Sequence, residues 1–408
     1  MRQPAPESGL HWVTGLAWAF QFCLAAGICV GSLPEAWWTN LTQIVIFTLA
    51  GLTLWTVPAL RPSRRLLFFL GLLCVPPGLG LLQIWRGWSA YRWATEVATL
   101  DWFTRLVAFW LGAQLYRGAA ERGRAVAAWM VLASFLSVWA LVGRMHPGAG
   151  IARRWNPGAQ MGPFTYANEY AWFAETLFPG ALLAMAVSSR LRGFYGLAAA
   201  LLAAGVVASA SRMGAFLLLV EMVIIAALLS RQRGPVRTRK TLLLFWLSLA
   251  GPLTVAVGWS PLLRELTRPD PLGDRKQLIL ATLQMAVDRP LLGWGLGTWA
   301  IVYPAYARFD DGLEDHQAHC DWAQWAAEGG FLLVSAMVAF LVGLVGAARK
   351  NYWGLGLVAA MIHGVVDYPF IHSRPGFGYY FFGLAGMLAS ARADNEAPGG
   401  ELAVTHRS

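Results

Sequence analysis

The residues best equipped for chemistry lie between Asp310 and Gly330, which read Asp-Asp-Gly-Leu-Glu-Asp-His-Gln-Ala-His-Cys-Asp-Trp-Ala-Gln-Trp-Ala-Ala-Glu-Gly-Gly. Carboxylates crowd around His316 and His319 at the mouth of an apolar segment that begins at Phe331. Asp315, His316 and His319 are spaced so that a helix would project all three from one face. Trp322 and Trp325 would continue the apolar part of that helix toward a membrane. An imidazole at a water–membrane boundary can accept a proton near neutral pH, which suits general-base work. The plainer reading is a polar helix cap carrying surface histidines. Asp310, Asp311, Glu314, Asp315, His316 and His319 also offer oxygen and imidazole ligands to a divalent ion, but they lack a compact ligand motif such as His-Glu-x-x-His.

The elements that must position these groups follow from composition. With 57% hydrophobic and only 13% charged residues over 408 positions, the chain has the make-up of a polytopic membrane protein and not of a soluble domain. Its net charge of +10 fits basic cytoplasmic loops better than nucleic-acid binding, and no nucleic-acid module is visible. Cys23, Cys29 and Cys74 fall in apolar runs, so no disulfide framework is indicated, and Cys320 reads as a small packing residue. The stretch from Met1 to Gly9 lacks a basic n-region and a small-residue cleavage site, so the first apolar run is expected to remain as an anchor.

A bilayer is crossed by about 20 apolar residues. Runs of that order recur near 10–30, 41–57, 66–84, 100–116, 125–145, 170–187, 194–210, 213–230, 242–259, 331–348, 353–366 and 377–391. The expected fold is therefore all-α, a polytopic transmembrane helical bundle of about twelve spans. Basic clusters at Arg61–Arg65, Arg117–Arg124, Arg190–Arg192, Arg231–Lys240 and Arg349–Lys350 fall at alternate junctions, which places those loops and both termini in the cytoplasm. The outer junctions then include His146–Glu169, Ser211-Arg212, Ser260–Gly330 and Asp367–Gly376. Arg153, Arg154, Arg212, Arg275, Lys276 and Arg289 break the charge bias on the side where the histidines lie. Positive charge there points to an anionic ligand.

The long outer segment has internal order. In Arg275–Val287, Leu278, Ala281, Thr282 and Met285 recur at helical spacing, which predicts a helix lying on the membrane surface. It should stop at Asp288-Arg289-Pro290, because the residue before proline is biased away from helix. Gly293, Gly295 and Gly297 follow as a tight turn; no strand or βαβ unit surrounds them, so a dinucleotide fingerprint is not the reading. The domain layout expected is 1–259 as a first bundle of about nine spans, 260–330 as the long helical loop, 331–391 as closing membrane helices and 392–408 as a cytoplasmic tail.

Arg275 with Met285, the run Asp288-Arg289-Pro290-Leu291-Leu292-Gly293-Trp294-Gly295 with Gly297, and Ala318-His319-Cys320-Asp321 with Glu328-Gly329 form a set of motifs. Ser211-Arg212-Met213-Gly214-Ala215, Gly162-Pro163-Phe164 with Asn168, and His363 to Asp367 with Pro369 extend it. Together they resemble the O-antigen ligase and O-antigen polymerase superfamily of bacterial polytopic membrane proteins. Cys320 stands where that family usually has asparagine, and Met213 where it usually has glycine. The resemblance implies an enzyme of the inner membrane with a periplasmic active site and no metal or other cofactor. It would transfer a glycan with inversion from an undecaprenyl-diphosphate carrier to an acceptor hydroxyl on a glycan, lipid A core or protein.

In that reading His319 is the catalytic base, Arg212, Arg275, Lys276, Arg289 and His316 hold the diphosphate and substrate, and Asn168, Glu328, His363 and Asp367 support them. Guanidinium suits the leaving group because it stays charged and grips phosphate oxygens in pairs. Each residue also has a plainer role. Arg212 could anchor at the interface, Arg275 could cap its helix or pair with Asp274, and Arg153 and Arg154 could meet lipid headgroups. His363 and Asp367 could be a structural pair across one helical turn. Glu169, Glu175 and Glu221 border or enter spans, and Glu221 is costly in lipid unless paired inside the bundle. The rival function is a transporter or flippase of lipid-linked sugars, for which Pro76-Pro77 would break one span without a matching break in the other half. A non-catalytic scaffold of a polysaccharide assembly is a third possibility.

Overall fold

A computed structural model describes residues 7–30, 37–58, 62–146, 160–231, 236–270, 273, 275–308, 315–371 and 376–391. Arg153, Arg154, Asp274, Asp310, Asp311 and Glu314 lie outside the described residues. The described chain is all-helical, with one isolated β-bridge between Met161 and Phe164. The long helices are α1 (Glu7–Val30), α2 (Trp37–Thr56), α3 (Arg64–Trp85), α4 (Arg92–Leu115), α5 (Ala119–Met145), α6 (Ala167–Val187), α7 (Arg192–Ser209), α8 (Arg212–Arg231) and α9 (Val236–Val257). After them come α10 (Ser260–Leu266), α11 (Arg275–Asp288), α12 (Trp299–Val302), α13 (Asp321–Ala348), α14 (Leu355–His363) and α15 (Gly376–Ser390).

A helix stands at each of the twelve apolar runs. Among the described residues seven are long and apolar enough to cross a membrane, namely α1, α3, α5, α6, α7, α8 and α13, and α9 with α10 would make an eighth if that pair, bent by 81°, is counted as one. The count of twelve is thus not reached by this measure, for physical reasons. α2 is diluted by Asn40, Gln43 and threonines, and α4 by Arg92, Glu96, Asp101 and Arg105. α14 has nine residues, a length of about 14 Å against a hydrocarbon core of about 30 Å. Pro76 and Pro77 sit buried inside an uninterrupted α3, so the break expected there does not occur. The protein is a multi-pass membrane protein.

The bundle is closed by small residues. A Cβ on Gly112 of α4 would run into the Gly383 carbonyl of α15, and one on Gly386 would run into the carbonyl of Phe109. Glycine pairs of this kind let two backbones approach where lipid supplies no hydrophobic drive between helices. α14 reaches α6 by the same means, Gly356 lying against the carbonyls of Glu175 and Thr176.

α11 forms as its spacing predicts. Leu278, Ala281, Thr282 and Met285 are its buried residues, the helix ends at Asp288, and the buried face packs on α13. The glycine turn after it is equally legible: Gly293, Gly295 and Gly297 all have positive φ, a backbone state that favours glycine. Gln83 of α3 holds this turn, donating to the carbonyls of Leu292 and Glu328 and accepting from the Leu296 N–H. α13 is broken at Gly330 (φ 62°, ψ −162°). The N–H of Phe331 there donates to the Pro290 carbonyl at 2.7 Å.

Candidate functional site

One expectation fails at the centre of the site. Residues 315–320 are not helical; α13 begins at Asp321, so Asp315, His316 and His319 do not share a helix face. The cause lies in where the backbone hydrogen bonds go. The Ala318 N–H is taken by the Gln324 side chain at 3.0 Å, and the Asp321 N–H by the carbonyls of Gly364 at 2.9 Å and Asp367 at 3.1 Å. His319 between them adopts φ +53°, a left-handed state that histidine visits more readily than most residues. Cys320 caps α13, its Sγ accepting from the Ala323 N–H at 3.4 Å. That position favours Asn, Asp, Ser and Thr, which gives a physical meaning to cysteine standing where asparagine was expected. Burial raises the Cys320 thiol above its usual range, in keeping with a packing role.

The turn after α14 carries the partner of His319. The Tyr368 ring meets the His319 imidazole edge to face, with centroids 4.5 Å apart. Trp172 of α6 meets both Tyr368 and His363 edge-on, making an aromatic wall. Burial, together with the carboxylates of Asp367 and Glu169, pushes the Tyr368 phenol well up, while Arg275 opposes the shift. Arg275 is the first residue of α11 and half-buried.

Beneath the wall, polar groups run inward. Asn168 donates to Asp367 Oδ2 at 2.6 Å, and that oxygen is 3.9 Å from His363 Nε2. His363 Nδ1 lies 2.8 and 3.0 Å from the two oxygens of Glu175. The main partner of His363 is therefore Glu175, and Asp367 is its more distant neighbour. Ser211 caps α8 by accepting from the Gly214 N–H at 3.2 Å, and a Cβ at Gly214 would lie 3.2 Å from Glu175 Oε1. The first turn of α8, which Arg212 opens, thus lies beside the Glu175–His363 pair. Glu221, about two and a half turns further along α8, is also buried.

The structure therefore gathers Asn168, His319, His363 and Asp367 around Tyr368 and Trp172. Glu328 does something else: its oxygens accept from the N–H groups of Gly297 (2.9 Å) and Trp299 (3.2 Å) and from Gln324 (2.9 Å), fixing the glycine turn. Arg289 donates to the Trp88 carbonyl and lies 3.9 Å over Trp294, a tie between that turn and the loop joining α3 to α4. Lys276 and His316 are exposed. Reading the sequence alone missed Tyr368, Asp321, Gln83 and the pair of half-buried Asp101 with buried Arg105. For that pair a signal existed, since ionisable residues four apart inside an apolar run mark interior-facing functional positions.

Residues 197–338 match the family model described as O-antigen ligase. The matched stretch contains Arg212, Arg275, Glu328 and His319, whereas Asn168, Glu175, His363, Asp367 and Tyr368 lie outside it. No curated protein matches the chain.

Proposed function

We infer, from the match of residues 197–338 to the O-antigen ligase family model, that the protein moves a glycan from a polyprenyl-diphosphate carrier to an acceptor hydroxyl at the outer face of the inner membrane. The observation that supports this reading is the packing of the His319 imidazole on Tyr368, with the Glu175–His363 pair and the start of α8, which Arg212 opens, close by. In the reaction His319 orients the acceptor hydroxyl and takes its proton as the oxygen attacks the anomeric carbon. The bond from that carbon to the diphosphate oxygen breaks on the opposite face, so the configuration inverts. Negative charge grows on the departing diphosphate, and Arg275 and Arg212 stabilise it more as it forms than in the bound donor. Lys276, Arg289 and His316 serve the approach of the anionic donor. Asn168, Asp367 and His363 hold the Tyr368 turn, and Glu328 the glycine turn. No metal is assigned a role.

The test is to incubate the purified protein in nanodiscs with an undecaprenyl-diphosphate oligosaccharide. This is done alone, with lipid A core, and with a hydroxyl-bearing peptide, and the products are identified by mass spectrometry. One acceptor should gain the glycan, in chelator as well as without it, and His319→Ala should abolish the gain. Translocation of the lipid-linked sugar without any transfer product would instead make the protein a flippase.

A further inference from the structure

We propose that Arg105 of α4 is a positioning residue for His319, acting through the turn at 367–371 that Arg105 and Asp321 grip from two sides. The proposal rests on the reading of His319 as the base. Arg105 is 3% exposed within a helix of the bundle. A charge there is costly unless paired. It pairs with Asp101 one helical turn back, lies 4.5 Å over the Trp102 ring, and donates to the Phe370 carbonyl at 2.7 Å. Asp101 in turn accepts from the Tyr379 hydroxyl at 2.6 Å. Apolar residues of like volume would often stabilise a bundle as well as such a pair. What they could not do is hold a backbone carbonyl 265 residues away in the chain. A Cβ at Gly378 would come within 3.1 Å of Arg105 Nε, so glycine leaves room for the guanidinium.

The same residue, Phe370, is held at its other polar group. Its N–H donates to Asp321 Oδ2 at 3.1 Å, and the Ile371 N–H donates to Asp321 Oδ1 at 3.0 Å. A guanidinium thus takes the carbonyl of Phe370 and a carboxyl group its N–H. Asp321 stands two residues after His319, and its own N–H bonds to the carbonyls of Gly364 and Asp367. Tyr368 is carried between these anchor points with its ring against His319. A non-glycine residue at φ +53° keeps that state only where its surroundings fix it. Arg105 and Tyr368 both lie outside the matched stretch 197–338, so the geometry of the family's histidine is set in part from elsewhere in the chain.

The test uses the protein in nanodiscs, carrying Arg105→Met, Arg105→Lys, Asp321→Asn, or Asp101→Asn with Arg105→Met; the last removes the charge of the carboxylate that would otherwise lose its cation. Transfer kinetics use the undecaprenyl-diphosphate oligosaccharide, and histidine-labelled protein is followed by NMR, with the His319 signal identified by its loss in His319→Ala. Arg105→Met and Asp321→Asn should lower kcat by about 100-fold while the KM for the donor stays within about threefold. Arg105→Lys should recover to within about tenfold of native. The His319 signal should move in Arg105→Met and the double variant and return toward native in Arg105→Lys. Native-like kcat together with an unmoved His319 signal in Arg105→Met and the double variant overturns the proposal. If His319→Ala transfers at the native rate, the reading of His319 as base fails instead, and the NMR arm still decides whether Arg105 positions the ring.

Discussion

At the scale of single residues, the site rests on a few side chains whose partners are far away in sequence. His319→Ala should cost transfer by about 10²–10⁴-fold, the usual worth of a positioned general base, with an unchanged elution profile and melting curve. Cys320 gives a sharper test of local physics. Because it caps α13, Cys320→Ala should lower stability by about 0.5–2 kcal/mol, and Cys320→Asn should match or exceed the native protein; thermal unfolding in detergent measures both. The same thiol, raised by burial, should react slowly with maleimide at pH 8 until the protein is unfolded. Glu175→Ala should destabilise by about 1–3 kcal/mol, because it strands the buried His363 Nδ1 without its acceptor. Glu175, inside an apolar run, was visible in the sequence, but its partner was not, since 188 residues separate it from His363.

At the scale of elements, what the sequence made legible was whatever short-range periodicity controls. The buried face of α11, its stop before Pro290 and the positive-φ glycines after it all follow from residues within a turn or two of one another. The backbone around His319 was not legible, because three-and-four spacing describes only helices that keep their own hydrogen bonds. Here Gln324 and the turn after His363 take those bonds instead. Glu328 is the corresponding anchor for the glycine turn. Glu328→Ala leaves the Gly297 and Trp299 N–H groups without their acceptor and should speed amide hydrogen exchange across 293–299 while leaving the rest of α13 protected. Gly386→Leu should separate α4 from α15, since even one added carbon meets the Phe109 carbonyl. A loss of folded yield on size exclusion is the expected result.

At the scale of the whole molecule, composition made the all-helical membrane class plain, and twelve apolar runs did mark twelve helices. Among the described residues length and apolarity mark seven of those helices, or eight with the bent pair, as long enough to cross, and α14, with nine residues, is buried by its neighbours. That half-length helix delivers His363 and the Tyr368 turn into the bundle, where residues from before and after the matched family stretch meet those within it. The most direct measurement is an electron cryo-microscopy structure of the protein in nanodiscs with undecaprenyl diphosphate bound. The result expected is diphosphate density between the guanidinium groups of Arg212 and Arg275, with the His319 imidazole facing the space where the sugar would be attached. Diphosphate bound elsewhere, or His319 on the far side of Tyr368 from it, would contradict the shared site.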